Sequence, residues 1–163
     1  MAKPTIYDFT LKTLQGETLD LAQFAGTPLL LVNTASKCSF TPQYEGLQAL
    51  WSRQRARGLT VIGMPSNDFG KQEPGNRNDI AAFCSKNYGV SFPMTEKMQV
   101  RGPEAHPLFG WLGREGGILS RPRWNFFKYV IARDGSLASW FSSITTPDSK
   151  RFRTAIDRVV LDS

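Results

Sequence analysis

Apolar positions along the chain follow two different periods. Two short runs are continuous: Leu29, Leu30, Leu31 and Val32 inside Thr27 to Thr34, and Leu59 to Met64. Short unbroken apolar runs predict strands buried on both faces. Between them the period becomes helical, with Tyr44, Leu47, Leu50 and Trp51 on one face. Thr41 and Pro42 read as an N-cap and a first-turn proline, and Gly58 as a stop. Two buried strands joined by a helix make a parallel pair with a crossover connection.

The rest of the chain adds to this unit. Phe9 to Leu21 alternates loosely around Gly16 and predicts a β-hairpin. Ile80, Phe83 and Cys84 share the apolar face of a helix over about Asp79 to Tyr88, closed by Gly89. A short strand near Phe92 to Met94 and a short helix over Pro107 to Leu112 follow. Asn125 to Ala132 and Ser136 to Phe141 flank Asp134-Gly135, a hairpin signal. Thr146-Pro147 repeats the cap-plus-proline pattern ahead of a last helix with Phe152, Ile156, Val159 and Val160 on one face. The order predicts an α/β protein: a mixed central sheet with helices on both faces and an N-terminal β-hairpin. At 163 residues, with no repeat or linker, the expectation is one domain over 1–163.

Composition removes several classes of protein. Hydrophobic residues are 40% and charged residues 21%, an ordinary globular balance. No apolar run approaches the roughly 20 residues of a membrane helix. Met1 to Phe9 has no apolar signal-peptide region, so the cytoplasm is the expected compartment. Two cysteines, Cys38 and Cys84, exclude a disulfide framework. Together with the single His106 they fall short of the four ligands of a structural zinc. Any Ser-His-Asp mechanism would need His106, which sits in a His-Pro step and reads as a helix-start or surface residue. The net charge is +6, gathered at Arg53 to Arg57, Arg121 to Lys128 and Lys150 to Arg158. These read as solvated faces, or as steering for an acidic substrate or partner; no nucleic-acid motif accompanies them.

The residues that can carry chemistry are few. Cys38 follows a buried strand and lies just before a helix start, where unpaired N–H groups favour a thiolate. Position alone reads equally as a reactive thiol or an inert buried one. Cys84, on an apolar helix face, reads by itself as core. The two are too far apart in sequence for a C-x-x-C motif. Asn67 to Gly75 is a polar loop directly after a buried strand, where α/β proteins place their sites; Gln72 is a neutral donor in it. Trp124 and Asn125 are also uncharged donors, although alone they read as core packing and a cap or turn.

Taken together, these segments resemble the glutathione peroxidase family. Asn33-Thr34-Ala35-Ser36-Lys37-Cys38, followed by Phe40-Thr41-Pro42-Gln43-Tyr44, is similar to its active-site segment. Asn67 to Gly75 resembles its second signature, and Trp124-Asn125-Phe126 with Lys128 its third. The resemblance implies a thioredoxin fold and a peroxidase of hydrogen peroxide and organic or lipid hydroperoxides. It implies Cys38 as the peroxidatic cysteine, standing where animal members carry selenocysteine, with Gln72, Trp124 and Asn125 completing a tetrad. Cys84 resembles the resolving cysteine of cysteine-type members, which take electrons from thioredoxin. Glutathione as reductant, or a sensor role that relays oxidation to a partner protein, are the alternatives. If the two cysteines start far apart, the Cys84 helix must open locally first. No metal or organic cofactor is implied. The short loop between Trp111 and Trp124 lacks the insertion of tetrameric animal members and points to a monomer; with no long apolar run, no stable membrane insertion is expected. Three residues depart from the pattern: Asp68 replaces the usual glutamine, Ser66 stands where many members have a cysteine, and Ser39 replaces the more usual glycine.

Overall fold

A computed structural model describes residues 3–161. The predicted hairpin is β1 (Thr10–Lys12) and β2 (Thr18–Asp20), an antiparallel pair with Leu11 opposite Leu19. The first apolar run is β3 (Leu29–Thr34), buried along its whole length. Helix α1 (Gln43–Gln54) leads into a short 3-10 turn closed by Gly58 at φ +103°, and then β4 (Thr60–Pro65) follows. Helices α2 (Arg77–Tyr88) and α3 (Pro107–Gly116) come next, then β5 (Lys128–Ile131), β6 (Leu137–Phe141) and α4 (Lys150–Leu161). The sheet order is β4-β3-β5-β6. β3 pairs parallel with β4 and antiparallel with β5, and β5 pairs antiparallel with β6.

The alternation of side chains along a strand divides the core. Leu30 and Val32 of β3 face Tyr44, Leu47 and Leu50 of α1 and Phe152 and Ile156 of α4. Leu29 and Leu31 face the opposite way, toward Leu108, Trp111 and Leu112 of α3. Both faces of β3 are therefore covered, which is why its sequence is apolar without a break. The same cover makes β3 a fixed platform: the Cys38 loop leaves its C-terminal end, and the segment that enters β5 is bonded to Asn33 near that end.

Several boundaries differ from the sequence expectation, each for a local reason. Thr41 does not cap α1; Pro42 occupies the N-cap, with no side-chain capping bond. Phe92 to Met94 contributes only a single bridge, Met94 to Gly63, and no strand. β5 starts at Lys128 because Phe126 takes a left-handed conformation, φ +65°, which interrupts the extended chain. α4 starts at Lys150; Ser149 accepts from the Phe152 amide, while the Thr146 hydroxyl is turned to Asp148. His106 does start a helix: its Nδ1 accepts from the Leu108 amide.

Leu30 is fully buried at the centre of one layer. Leu30→Ala is expected to cost about 2–5 kcal/mol in a urea titration. An unchanged midpoint would contradict the placement of β3 in the core.

Candidate active site

Cys38 sits in the loop that leaves β3. Thr41 organises that loop instead of capping the helix. Its hydroxyl donates to the Ala35 carbonyl at 2.7 Å and accepts from the Cys38 amide at 2.8 Å, and its own amide donates to the Cys38 carbonyl at 3.0 Å. The Cys38 Sγ accepts from the Phe40 amide at 3.4 Å. The sulfur is thus held by a backbone donor just ahead of α1, and Cys38 keeps only 7% of its exposure.

The loop after β4 delivers Gln72 to the same place. It is wound by its own polar side chains: Ser66 Oγ accepts from the Asp68 amide and Asn67 Oδ1 from the Glu73 amide. Gly70 and Lys71 are both left-handed, at φ +66° and +52°. A β-carbon on Gly70 would lie 3.1 Å from the Trp124 ring and 3.4 Å from the Gln72 carboxamide carbon, so glycine lets those two groups approach. The Gln72 carbonyl accepts from the Lys37 amide at 2.9 Å, which joins the loop to the residue beside Cys38. Asp68 has a defined task here. Its carboxylate accepts from the Val100 amide at 2.6 Å and the Arg101 amide at 3.2 Å, latching the chain ahead of α3. Ser66 is fully buried.

Trp124 and Asn125 arrive from the segment before β5. The Asn125 Nδ2 donates to the Gln72 Oε1 at 3.1 Å and reaches the Phe69 carbonyl at 3.5 Å. Trp124 packs on Phe69 with ring centroids 5.9 Å apart. Asn33, near the end of β3, fixes this segment. Its Nδ2 donates to the Trp124 carbonyl, its carbonyl accepts from the Phe126 amide, and its Oδ1 accepts from the Phe127 amide. From the other side, the Ser143 hydroxyl donates to the Asn125 carbonyl, while the Ser143 carbonyl accepts from Gln43 Nε2. Gln72, Trp124 and Asn125 are therefore brought together, with the Cys38 loop bonded to Gln72.

Cys84 lies apart from this network, on the inner side of α2. Both cysteines are free and buried and belong to the same hydrophobic cluster. Burial pushes the Cys84 thiol up to about 11; the Tyr44 hydroxyl favours its thiolate, and the charge of Glu73 opposes it. Glu73 is itself buried, and burial raises its carboxyl above the ordinary range against the pull of Ser36, Lys97 and Lys37. A cavity of about 320 Å³, lined in part by Leu14, Ala81, Cys84 and Met94, opens beside Cys84.

Sequence reasoning assigned no part to Asn33, Gly70 or Ser143. A readable signal existed for the first: an asparagine directly after an apolar run that predicts a strand buried on both faces must find partners. Gly70 and Ser143 carried none, because their value lies in contacts with distant segments. Among the described residues no group of three or more His, Cys, Asp or Glu is placed to hold a metal, and no helix is long and apolar enough to cross a membrane.

This architecture, with its β4-β3-β5-β6 sheet and flanking helices, is that of the thioredoxin fold. A thiol:disulfide interchange protein of the thioredoxin family from Chlorobium tepidum superposes with a TM-score of 0.66 at 18% identity, covering 98% of this chain and 99% of its own. Nearer matches are specific. Residues 6–113 match the glutathione peroxidase family. The hydroperoxy fatty acid reductase gpx1 of Synechocystis sp. is 46% identical over 155 residues, 90% of this chain and 92% of that one. The glutathione peroxidase homolog BsaA of Halalkalibacterium halodurans is 48% identical, over 88% of this chain and 92% of its own. The crystal structure of Trgpx in apo form superposes with a TM-score of 0.80 at 31% identity, covering 99% and 98% of the two chains. The chain belongs to the glutathione peroxidase family. It is a peroxidase, an oxidoreductase that acts on peroxide.

Lys128, at the start of β5, is fully buried, and burial pulls its amine down from 10.5 to about 7. In the unfolded chain that amine keeps its proton up to about pH 10.4. Between these values the unfolded state binds the extra proton, so stability rises with pH. Above its ordinary value of 9.0, Cys84 acts oppositely, because the folded thiol keeps a proton that the unfolded one loses. The unfolding free energy from urea titrations is therefore expected to climb between about pH 7 and 9, by up to about 1.4 kcal/mol per pH unit, with the midpoint rising alongside, and to level off above. Lys128→Met should lack the climb. A midpoint that falls over that range in the wild type would contradict the burial of this charge.

Proposed function

We propose that Cys38 is the peroxidatic cysteine of a two-cysteine thiol peroxidase, with Gln72, Trp124 and Asn125 as its neutral donors and Cys84 as the resolving thiol. The observation that carries this reading is the Asn125–Gln72 hydrogen bond, beside Trp124 and tied through Gln72 to the Cys38 loop.

The chemistry follows from these groups. The Cys38 thiolate attacks the terminal oxygen of a hydroperoxide. The O–O bond breaks, Cys38 becomes a sulfenic acid, and an alkoxide or hydroxide leaves and takes a proton. Only the thiolate is a strong nucleophile, and the Phe40 N–H already points at the sulfur to support it. The leaving oxygen carries the developing negative charge. Uncharged donors held in place serve it without bringing a competing charge into a buried site. Asn125 has an N–H engaged only by the long contact to the Phe69 carbonyl, so that hydrogen can turn to an incoming oxygen. The Trp124 indole supplies another N–H from its half-buried position.

Resolution places a second demand on the protein. The Cys84 thiolate attacks the Cys38 sulfenic sulfur, the disulfide forms, and hydroxide leaves as water. A buried thiol pushed up to about 11 must first be freed. α2 is suited to that, because only Ile80 and Cys84 of its 12 residues are buried, and a helix with so little buried surface opens at low cost. A dithiol protein of the thioredoxin kind then reduces the disulfide through a mixed disulfide. The hydroperoxy fatty acid reductase among the relatives supports lipid hydroperoxides as substrates beside hydrogen peroxide. We place the whole chain, 1–163, in this role as one domain, a monomer of the cytoplasm, where both thiols are kept reduced between turnovers. The burial of Cys84 favours one second reading, in which Cys84 stays inside and glutathione resolves the sulfenic acid.

Steady-state turnover with each reductant separates these readings. Cys38→Ser is expected to abolish peroxidase activity with either one. Cys84→Ser should lose thioredoxin-supported turnover while its first oxidation step persists; unchanged turnover would remove Cys84 from the mechanism. Gln72→Ala and Asn125→Ala are each expected to slow Cys38 oxidation by on the order of 10²–10³ in stopped flow.

A further inference from the structure

We infer that Lys128 is a positioning residue of the peroxidase site: its buried amine clamps the two backbone segments that hold Asn125. This rests on the reading of Asn125 as a donor to the reacting oxygen.

The clamp is visible in the hydrogen bonds. Lys128 Nζ donates to the Phe126 carbonyl at 2.8 Å and to the Ser142 carbonyl at 3.1 Å. Phe126 follows Asn125 directly and is left-handed, φ +65°. A bulky residue avoids that conformation, so the turn persists only where its surroundings hold it. Here both polar groups of Phe126 are held: its N–H by the Asn33 carbonyl at 2.6 Å and its carbonyl by Lys128. Ser142 precedes Ser143, whose hydroxyl donates to the Asn125 carbonyl. One side chain thus joins the segment behind Asn125 to the segment beside it.

Packing alone does not call for a lysine here. A methionine fills nearly the same volume without desolvating an ammonium, and burying a charge that makes no ion pair is costly. The two bonds recorded for Nζ go to carbonyls, not to carboxylates. What lysine supplies and methionine lacks is two N–H donors on a long stem. Both remain when the amine loses its charge, since a neutral amine still carries two hydrogens, so the clamp does not depend on the protonation state. Without the donors, the Phe126 carbonyl loses the partner that holds it in the interior, and the Ser142 carbonyl keeps only the 3.3 Å bond from the Thr145 amide. The turn is then free to relax, and Asn125 loses its register with Gln72.

A double-mutant cycle on the full chain tests this. Stopped flow measures the rate constant for oxidation of reduced protein by hydrogen peroxide in wild type, Lys128→Met, Asn125→Ala and the double variant, with thermal unfolding recorded for each. Lys128→Met is expected to slow oxidation about ten- to hundredfold. In the Asn125→Ala background the same change should cost less than about threefold, because residues that act through one group are not additive. Lys128→Gln, which restores one donor, should recover part of the rate; it also serves in the cycle if Lys128→Met does not fold. A wild-type rate in Lys128→Met, or losses that multiply in the double variant while Asn125→Ala is slow, would overturn the positioning role. A wild-type rate in Asn125→Ala alone would instead overturn the donor reading beneath it, and the clamp's function with it.

Discussion

Asn33 ties together the parts of the site that come from different ends of the chain. It lies in β3, the strand from which the Cys38 loop departs, and it is fully buried. Its amide and its backbone carbonyl bind Trp124, Phe126 and Phe127, so the segment carrying Asn125 is registered against the strand that leads into the Cys38 loop. A buried amide left without these partners would cost more than the bonds return. That asymmetry makes the register specific, because displacing the Trp124 segment by even one residue strands a polar group in the interior.

The remaining contacts extend the same device. Lys37 holds the Gln72 carbonyl, Ser143 holds the Asn125 carbonyl, and Thr41 holds both ends of the Cys38 loop. Each is a bond to backbone, and backbone positions set where the working side chains point. The charged groups found within this layer, Glu73 and Lys128, are both buried, and burial pushes each toward its neutral form. In the proposed mechanism the Cys38 thiolate is supported by fixed dipoles more than by full charges. Fixed dipoles need no reorganisation when the oxygen departs.

Much of this was legible in the sequence. The unbroken apolar runs marked β3 and β4, the Gly58 and Gly89 stops were both found left-handed, and Asp134-Gly135 marked the β5–β6 hairpin. The motif segments identified the family and pointed at Cys38, Gln72, Trp124 and Asn125 as residues to watch. The misreadings share a cause. Thr41-Pro42 and Thr146-Pro147 both carry a capping pattern, yet the Thr41 hydroxyl is committed to Ala35 and Cys38 and that of Thr146 to Asp148. Local propensity cannot show such competing partners. Nor could it show that Asn125 to Phe127 turns back on itself, since the left-handed Phe126 is held by Asn33 and Lys128 from elsewhere in the chain. Asp68 is similar: as a departure from the family pattern it had no visible purpose until its carboxylate was found on the Val100 and Arg101 amides.

The central claim is that oxidising equivalents pass from peroxide to Cys38 and from there to Cys84. Intact mass with peptide mapping, after one equivalent of hydrogen peroxide on the reduced protein, tests it most directly. A loss of about two mass units with a peptide linking Cys38 to Cys84 is the expected result. Oxidation that leaves Cys38 free, or a Cys38 sulfenic acid that persists beside an untouched Cys84, would contradict it.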